Sequence, residues 1–194
     1  MDSSASMLDS TLVNIIRTRN MSDDRKRTAP KWQRVVKTVD WISTQLPITS
    51  RYQIWQFNEE HGSVLEGSTE MWLEVADRDQ LNGVISSAEA VVPNNGTNLQ
   101  RVFRAVANMN PPPDNIFLIT DGLPTLGVRA NSDNLVTPAR RMELFEDAVE
   151  ELPGGIPVNI ILMPLEGDPS AAAAYWQLAQ YTQGSFLTPS DDWP

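Results

Sequence analysis

The chain has no cysteine and a single histidine in 194 residues. The first absence excludes disulfides, thiolate zinc sites and cysteine nucleophiles. The second excludes imidazole metal clusters and leaves His61 as the sole candidate base for a Ser-His-Asp triad. Positive charge is also short, with 15 Lys and Arg against 25 Asp and Glu and a net charge of −10. Such a balance argues against nucleic-acid binding, which needs a basic footprint, and favours attraction of cations. No run approaches the ~18 apolar residues of a membrane span. No basic region and apolar run follow Met1, so no signal peptide is visible. A cysteine-free chain suits any compartment, and composition therefore leaves localisation open.

What is present is the composition of a globular domain. Hydrophobic residues make up 41% and charged residues 21%, and the length suits one domain over residues 1–194. Apolar periodicity alternates between helical and strand repeats. Residues 7–20 carry Leu8, Leu12, Ile15 and Ile16 at helical spacing, and the polar stretch Ser22–Arg27 reads as a break. The next helix carries Trp32, Val35, Val36, Val39, Ile42 and Leu46 on one stripe, with Pro30 near its start and Pro47 ending it. Residues 51–58 and 71–75 read as strands, with turn-like His61-Gly62 and Glu66-Gly67-Ser68 between them, forming an antiparallel edge pair.

Further along, helices are predicted over 79–92, directly after Thr97, across Met142–Leu152 and over 169–181. Strands are predicted over 116–119, 157–163 and 185–187, and a long polar loop after Asp121. Ile116–Ile119 is uniformly apolar, which suits a parallel strand covered on both faces. This alternation implies a Rossmann-like, doubly wound α/β fold. The sheet is expected to be mostly parallel with one antiparallel edge strand and helices on both faces. Such sheets bind ligands at the carboxyl ends of their strands.

Three fragments carry candidate chemistry: Asp2-Ser3-Ser4-Ala5-Ser6, Asn95-Gly96-Thr97-Asn98-Leu99 and Ile119-Thr120-Asp121-Gly122. Along an extended stretch, Asp2, Ser4 and Ser6 point the same way. Thr97 lies in a loop just before a helix, and Asp121 ends a buried strand. Together the fragments offer carboxylate and hydroxyl oxygens, a donor set for a hard divalent cation such as Mg²⁺, which binds oxygens at about 2.1 Å and keeps several waters. The two carboxylates balance a 2+ charge, and the open face of the ion then attracts a carboxylate from outside.

Asp-x-Ser-x-Ser, a distant Gly-Thr and a strand-ending Thr-Asp-Gly resemble the metal-ion-dependent adhesion site of von Willebrand factor type A domains. The wording Thr120-Asp121-Gly122-Leu123-Pro124-Thr125 resembles bacterial members more than integrins. The resemblance implies a metal site of Asp2, Ser4, Ser6, Thr97 and Asp121. Ser4, Ser6 and Thr97 would coordinate directly, and the aspartates directly or through water. It implies Mg²⁺, with Mn²⁺ or Ca²⁺ as alternatives, and a protein partner that supplies a Glu or Asp carboxylate. A non-enzymatic interaction module follows.

Two other functions fit less well. One is an assembly or metal-insertion factor acting with an AAA+ ATPase. The other is a Mg²⁺-dependent phosphohydrolase with Asp2 as nucleophile, but Ser4 stands where such enzymes carry a second Asp, and no general base is conspicuous. The family also places a buried apolar strand before its first Asp, where this sequence has only Met1. Either the chain is the tail of a longer protein or the domain lacks that strand. Orphaned backbone groups on both neighbours favour the first. A missing upstream signal or anchor would place the domain at the bacterial cell envelope; otherwise it is cytoplasmic. Residues 8–31 read as an insertion.

Other features have plain readings. Asp9 could assist a second metal, but Ser10 stands where another acid would help, and an Asp at a helix start suits the helix dipole. Eight of the 15 basic residues lie between Arg17 and Lys37. They read as a solvated insert with Asp23 and Asp24 as counter-charges, or else as a docking face for an acidic partner or anionic lipid. His61 reads as an exposed turn residue, Trp55 and Trp72 as strand packing, and Trp193, beside Asp191 and Asp192, as tail.

Overall fold

The computed structural model describes residues 1–69, 71–128, 136–190 and 193. A 3-10 helix (Ala5–Leu8) leads to α1 (Leu12–Thr18), α2 (Asp23–Arg27) and α3 (Pro30–Gln45). Four short strands follow: β1 (Arg51–Tyr52), β2 (Trp55–Phe57), β3 (His61–Ser63) and β4 (Leu73–Glu74). The rest is α4 (Arg78–Ala90), α5 (Leu99–Ala107), β5 (Ile116–Thr120), α6 (Pro138–Val149), β6 (Val158–Leu162), α7 (Ala171–Thr182) and β7 (Phe186–Leu187).

β5 and β6 pair in parallel from Ile116↔Val158 to Thr120↔Leu162, and β7 lies parallel on the far side of β6. On the near side of β5, the Asp2 amide donates to the Ile119 carbonyl at 2.8 Å. The same short segment bonds β2, with Ser3 N donating to Phe57 O at 2.7 Å and Phe57 N to Met1 O at 3.0 Å. Met1–Ser3 therefore lies between β2 and β5. The sheet reads β3, β2, Met1–Ser3, β5, β6, β7, with β3 antiparallel on β2. β1 and β4 form a separate antiparallel pair.

Side-chain alternation along β5 and β6 builds one core on each face. Leu118, Val158, Ile160 and Leu162 pack with α5, α6 and α7. Ile119, Ile161 and Met163 pack with Trp32, Val35 and Val36 of α3 and with Met7 and Leu8. Each fully buried side chain of this size contributes about 1.5–3 kcal/mol, so both layers hold the sheet centre rigid. The carboxyl ends of Met1–Ser3 and β5 are thereby fixed side by side.

The α/β architecture is the one the sequence predicts, with local differences. The strand predicted over 51–58 is two strands, because its halves pair with different partners, β1 with β4 and β2 with β3. His61-Gly62 is strand rather than turn. The reversal falls earlier, where the Asn58 side chain accepts from Glu60 N at 3.0 Å and supplies an Asx turn. His61 is half-buried and stacks on Trp55, ring centroids 5.8 Å apart. The polar stretch predicted as a break forms α2, since Asp23 and Asp24 in its first turn and Arg25, Lys26 and Arg27 in its last complement the helix dipole. On α1 only Ile15 is buried, while Leu12 and Ile16 are 50% and 56% exposed. Phe117 is also exposed, so β5 is not covered on both faces along its whole length. Trp193 packs edge-on against Trp41, and its indole N–H donates to Thr38 Oγ1 at 3.0 Å. The predicted loop after Asp121 runs through 129–135, and Asp191 and Asp192 flank the tail; both stretches lie outside the described residues. Among the described residues no helix is long and apolar enough to cross a membrane.

Candidate functional site

Asp2 is fully buried at the end of the Met1–Ser3 segment. Its Oδ1 accepts from the Ser4 amide at 2.8 Å and its Oδ2 from the Thr120 hydroxyl at 2.8 Å. The chain then turns into the 3-10 helix, which brings Ser4 Oγ within 2.9 Å of Ser6 Oγ. Ser6 Oγ donates to Asp121 Oδ1 at 2.9 Å. Four of the five predicted residues thus form one connected polar cluster between the first loop and the end of β5.

Thr97 arrives on a separate loop that backbone bonds fasten to the first. Asn94 N donates to Ser3 O at 2.9 Å, and Ala5 N to Asn95 O at 3.0 Å. On its other side Thr97 O accepts from Thr125 N and Leu126 N, both at 3.0 Å, while Thr97 N donates to Thr125 Oγ1 at 3.0 Å. Thr97 is buried, and its hydroxyl makes no hydrogen bond to the other four residues among the described residues. Gly96 permits this approach: a Cβ there would meet Thr125 Oγ1 at 2.8 Å and Leu126 Cδ1 at 2.9 Å.

The surprise of the site is Lys31, from the first turn of α3. Its Nζ donates to Asp121 Oδ2 at 2.6 Å and to the backbone carbonyls of Ser6 and Asp9, each at 3.0 Å. These bonds use all three ammonium protons. The Lys31 side chain is 5% exposed and that of Asp121 2%. The basic run read from sequence as a solvated insert or a docking face therefore loses its most consequential member to the interior. Lys26 and Arg27 do pair locally, with Asp23 at 3.6 Å and Asp24 at 3.1 Å. One signal could have singled out Lys31: it stands between Pro30 and the core residue Trp32, at the start of a helix that must pack on the sheet.

Asp2 and Asp9 are shifted in opposite directions. Burial, and next the charge of Asp121, push the Asp2 carboxyl up to about 6, against the opposing hydrogen bonds from Ser4 and Thr120. Asp9 accepts through Oδ1 from Thr11 N, Thr11 Oγ1 and Asn14 Nδ2. Partial burial raises its carboxyl, but those bonds outweigh it and hold the group below its ordinary range. Its carboxylate is thus engaged in the turn before α1, and only its carbonyl reaches Lys31.

Behind Asp121 a second, half-buried ion pair fixes the turn. Asp168 Oδ2 accepts from Leu123 N and from Arg141 Nη2, both at 2.7 Å. Tyr175 OH donates to Gly122 O at 3.0 Å. A cavity of about 290 Å³ opens beside Asp121, lined also by Met163, Leu165, Pro169, Ala172 and Pro189.

Among the described residues no group of three or more His, Cys, Asp and Glu side chains is disposed to hold a metal. The cluster offers two carboxylates, Asp2 and Asp121, and otherwise hydroxyls. That donor set, all oxygen, fits a hard divalent cation and not a thiolate- or imidazole-loving one.

No protein-family model and no curated protein matches the sequence. Solved structures do. One is a von Willebrand factor type A protein from Catenulispora acidiphila, which superposes with a TM-score of 0.63 at 16% identity over 98% of this chain. The fold is that of a von Willebrand factor type A domain. The present chain spans 37% of the length of that protein. Within the type A fold, the polar cluster of Asp2, Ser4, Ser6 and Asp121 stands at the carboxyl ends of the central strands, where open α/β sheets bind ligands.

Proposed function

We propose that this chain is a divalent-metal-dependent protein-binding module that captures an acidic residue of a partner through an adhesion-type site. The observation that carries the reading is the contiguous cluster Ser4–Ser6–Asp121, with Asp2 behind it and the Thr97 loop stitched alongside. Ser4, Ser6 and Thr97 would supply neutral oxygens, and Asp2 and Asp121 the balancing charge. When bound, Mg²⁺, or Mn²⁺ in its place, supplies an open coordination position for a Glu or Asp carboxylate.

A binding role is favoured over phosphoryl transfer by Asp2 itself. It is 0% exposed, and both of its oxygens accept hydrogen bonds from the protein. A nucleophile must reach its substrate, and this carboxylate is placed to hold the first loop instead. We therefore propose no catalytic residue.

Calorimetric titration with Mg²⁺ and Mn²⁺ tests the reading. Wild type should bind one ion, and Thr97→Ala should lose at least about tenfold in affinity, or 1.4 kcal/mol. Because that hydroxyl makes no bond to the rest of the site, the variant should melt within a few degrees of wild type. Absence of binding by wild type at millimolar metal would sink the reading.

A further inference from the structure

Resting on the adhesion-site reading, we propose that Lys31 is a permanent second cation of the site, which weakens its hold on a divalent ion and makes the loaded site selective for anionic partners. The two oxygens of Asp121 have separate partners. Oδ1 faces the hydroxyl cluster through Ser6 at 2.9 Å, and Oδ2 faces Lys31 at 2.6 Å. The ammonium therefore does not take the place of an ion beside Ser4 and Ser6. It sits behind the carboxylate, on the side of α3.

Lys31 is held there by more than attraction to Asp121. The carbonyls of Ser6 and Asp9 accept its other two protons at 3.0 Å each, and the side chain is nearly out of solvent. A buried ammonium with all three donors satisfied gains no hydrogen bond by leaving, and its departure would strand one carboxylate oxygen and two carbonyls. It stays when the site is loaded, and its charge must be counted with the site.

That count changes what the site can recognise. Two carboxylates and one ammonium leave one net negative charge. A divalent ion turns this into one net positive charge, where the carboxylates alone would leave neutrality. In a desolvated setting like charges interact strongly, so Lys31 lowers affinity for the ion. The same excess charge favours a carboxylate in the open position over a neutral carbonyl or hydroxyl. The partner is thus an acidic side chain presented to a cationic, not a neutral, centre.

The test compares wild type, Lys31→Met and Lys31→Arg. Mn²⁺ affinity is read by water-proton relaxation, and acetate is the carboxylate probe, its methyl-proton relaxation reporting approach to the bound Mn²⁺. K31M should bind Mn²⁺ about tenfold more tightly or better, and its Mn²⁺ form should capture acetate more weakly. K31R, which keeps the charge, should resemble wild type in both. If K31M does not fold without metal, Lys31→Gln takes its place, since it retains a donor for Asp121 without the charge. Wild-type binding with K31M equal or weaker for Mn²⁺ would overturn the charge role and leave the adhesion site standing. Failure of all variants, wild type included, to bind Mn²⁺ would overturn the adhesion reading and this assignment together.

Discussion

The two loops that carry the carboxylates differ in what faces the charge. Asp2, after the Met1–Ser3 segment, meets only neutral donors, the Ser4 amide and the Thr120 hydroxyl. Asp121, after β5, meets the Lys31 ammonium and the Ser6 hydroxyl. Both are buried, at 0% and 3% exposure. The Lys31 ammonium thus bonds one of the two acids and not the other. The Asp121 loop is electrostatically closed without a ligand, whereas the Asp2 loop carries a carboxyl that resists ionisation. A cation bound at the cluster would relieve the second loop more than the first.

The sharpest way to break this contrast is Asp121→Ala. The substitution strands Lys31 in the interior with its carboxylate partner gone. Removing one member of a buried ion pair typically costs about 3–5 kcal/mol. Urea unfolding of the metal-free protein should show a loss of that order. Asp121→Asn keeps an oxygen toward Lys31 and should recover part of it. A metal-free Asp121→Ala as stable as wild type would mean that Lys31 finds solvent or another partner.

Asp2→Asn should act in the opposite direction. In the metal-free fold the Asp2 carboxyl titrates near 6 against an ordinary 3.8, chiefly because it is buried and next because Asp121 is charged. A raised acid favours the native state only while protonated. Its stabilising effect is full below the ordinary pKa of 3.8 and is lost as pH climbs through about 6. Above that, ionised Asp2 weighs against the fold by up to ~3 kcal/mol. Asn has no such charge, so metal-free D2N should gain stability over wild type at pH 7 and show little difference at pH 3. Stability curves at the two pH values check the sign, and an equal offset at both would refute the buried-charge account. D2N should also lose metal affinity, setting stability against function at one residue.

How much of this contrast was legible in the sequence depended on range. Asp2, Ser4 and Ser6 stand two apart in one short segment, and Asp121 ends an apolar strand, so local spacing is enough to select them. The extended alternation expected through Ser6 is not what joins them, because the chain enters a 3-10 helix at Ala5 and the helical turn brings Ser6 to Ser4. The layered sheet followed from apolar periodicity. Lys31 was hidden because its significance is long-range. Only after α3 packs on the sheet does its first turn overhang the end of β5, and within a run of eight basic residues it looked like the rest. The turn at 58–60 was missed for a related reason. Gly62 is the turn signal in the sequence, while the reversal is made by the Asn58 side chain and Gly62 pairs with Gln56 in the ladder. On α1 the apolar spacing was genuine, yet three of its apolar residues, Leu12, Val13 and Ile16, stay at 50%, 75% and 56% exposure. Spacing reports a helix and does not report what covers it.

The smallest expected effect tests the third loop, which neither carboxylate holds directly. Gly96→Ala would place a Cβ 2.8 Å from Thr125 Oγ1 and 2.9 Å from Leu126 Cδ1. Both contacts are with side-chain ends that can move, so the cost should fall at the low end of overpacking, about 1 kcal/mol. The movement has a direction, however. Thr125 Oγ1 is the acceptor for Thr97 N at 3.0 Å, so displacing it loosens the residue that brings the third hydroxyl to the site. G96A should therefore weaken Mn²⁺ binding by a larger factor than its small change in melting temperature suggests. Asp2 and Asp121 keep every bond they have in wild type. A G96A protein with unchanged Mn²⁺ affinity would show that the cluster of Ser4, Ser6 and Asp121 suffices for the ion and that the Thr97 loop serves the fold alone.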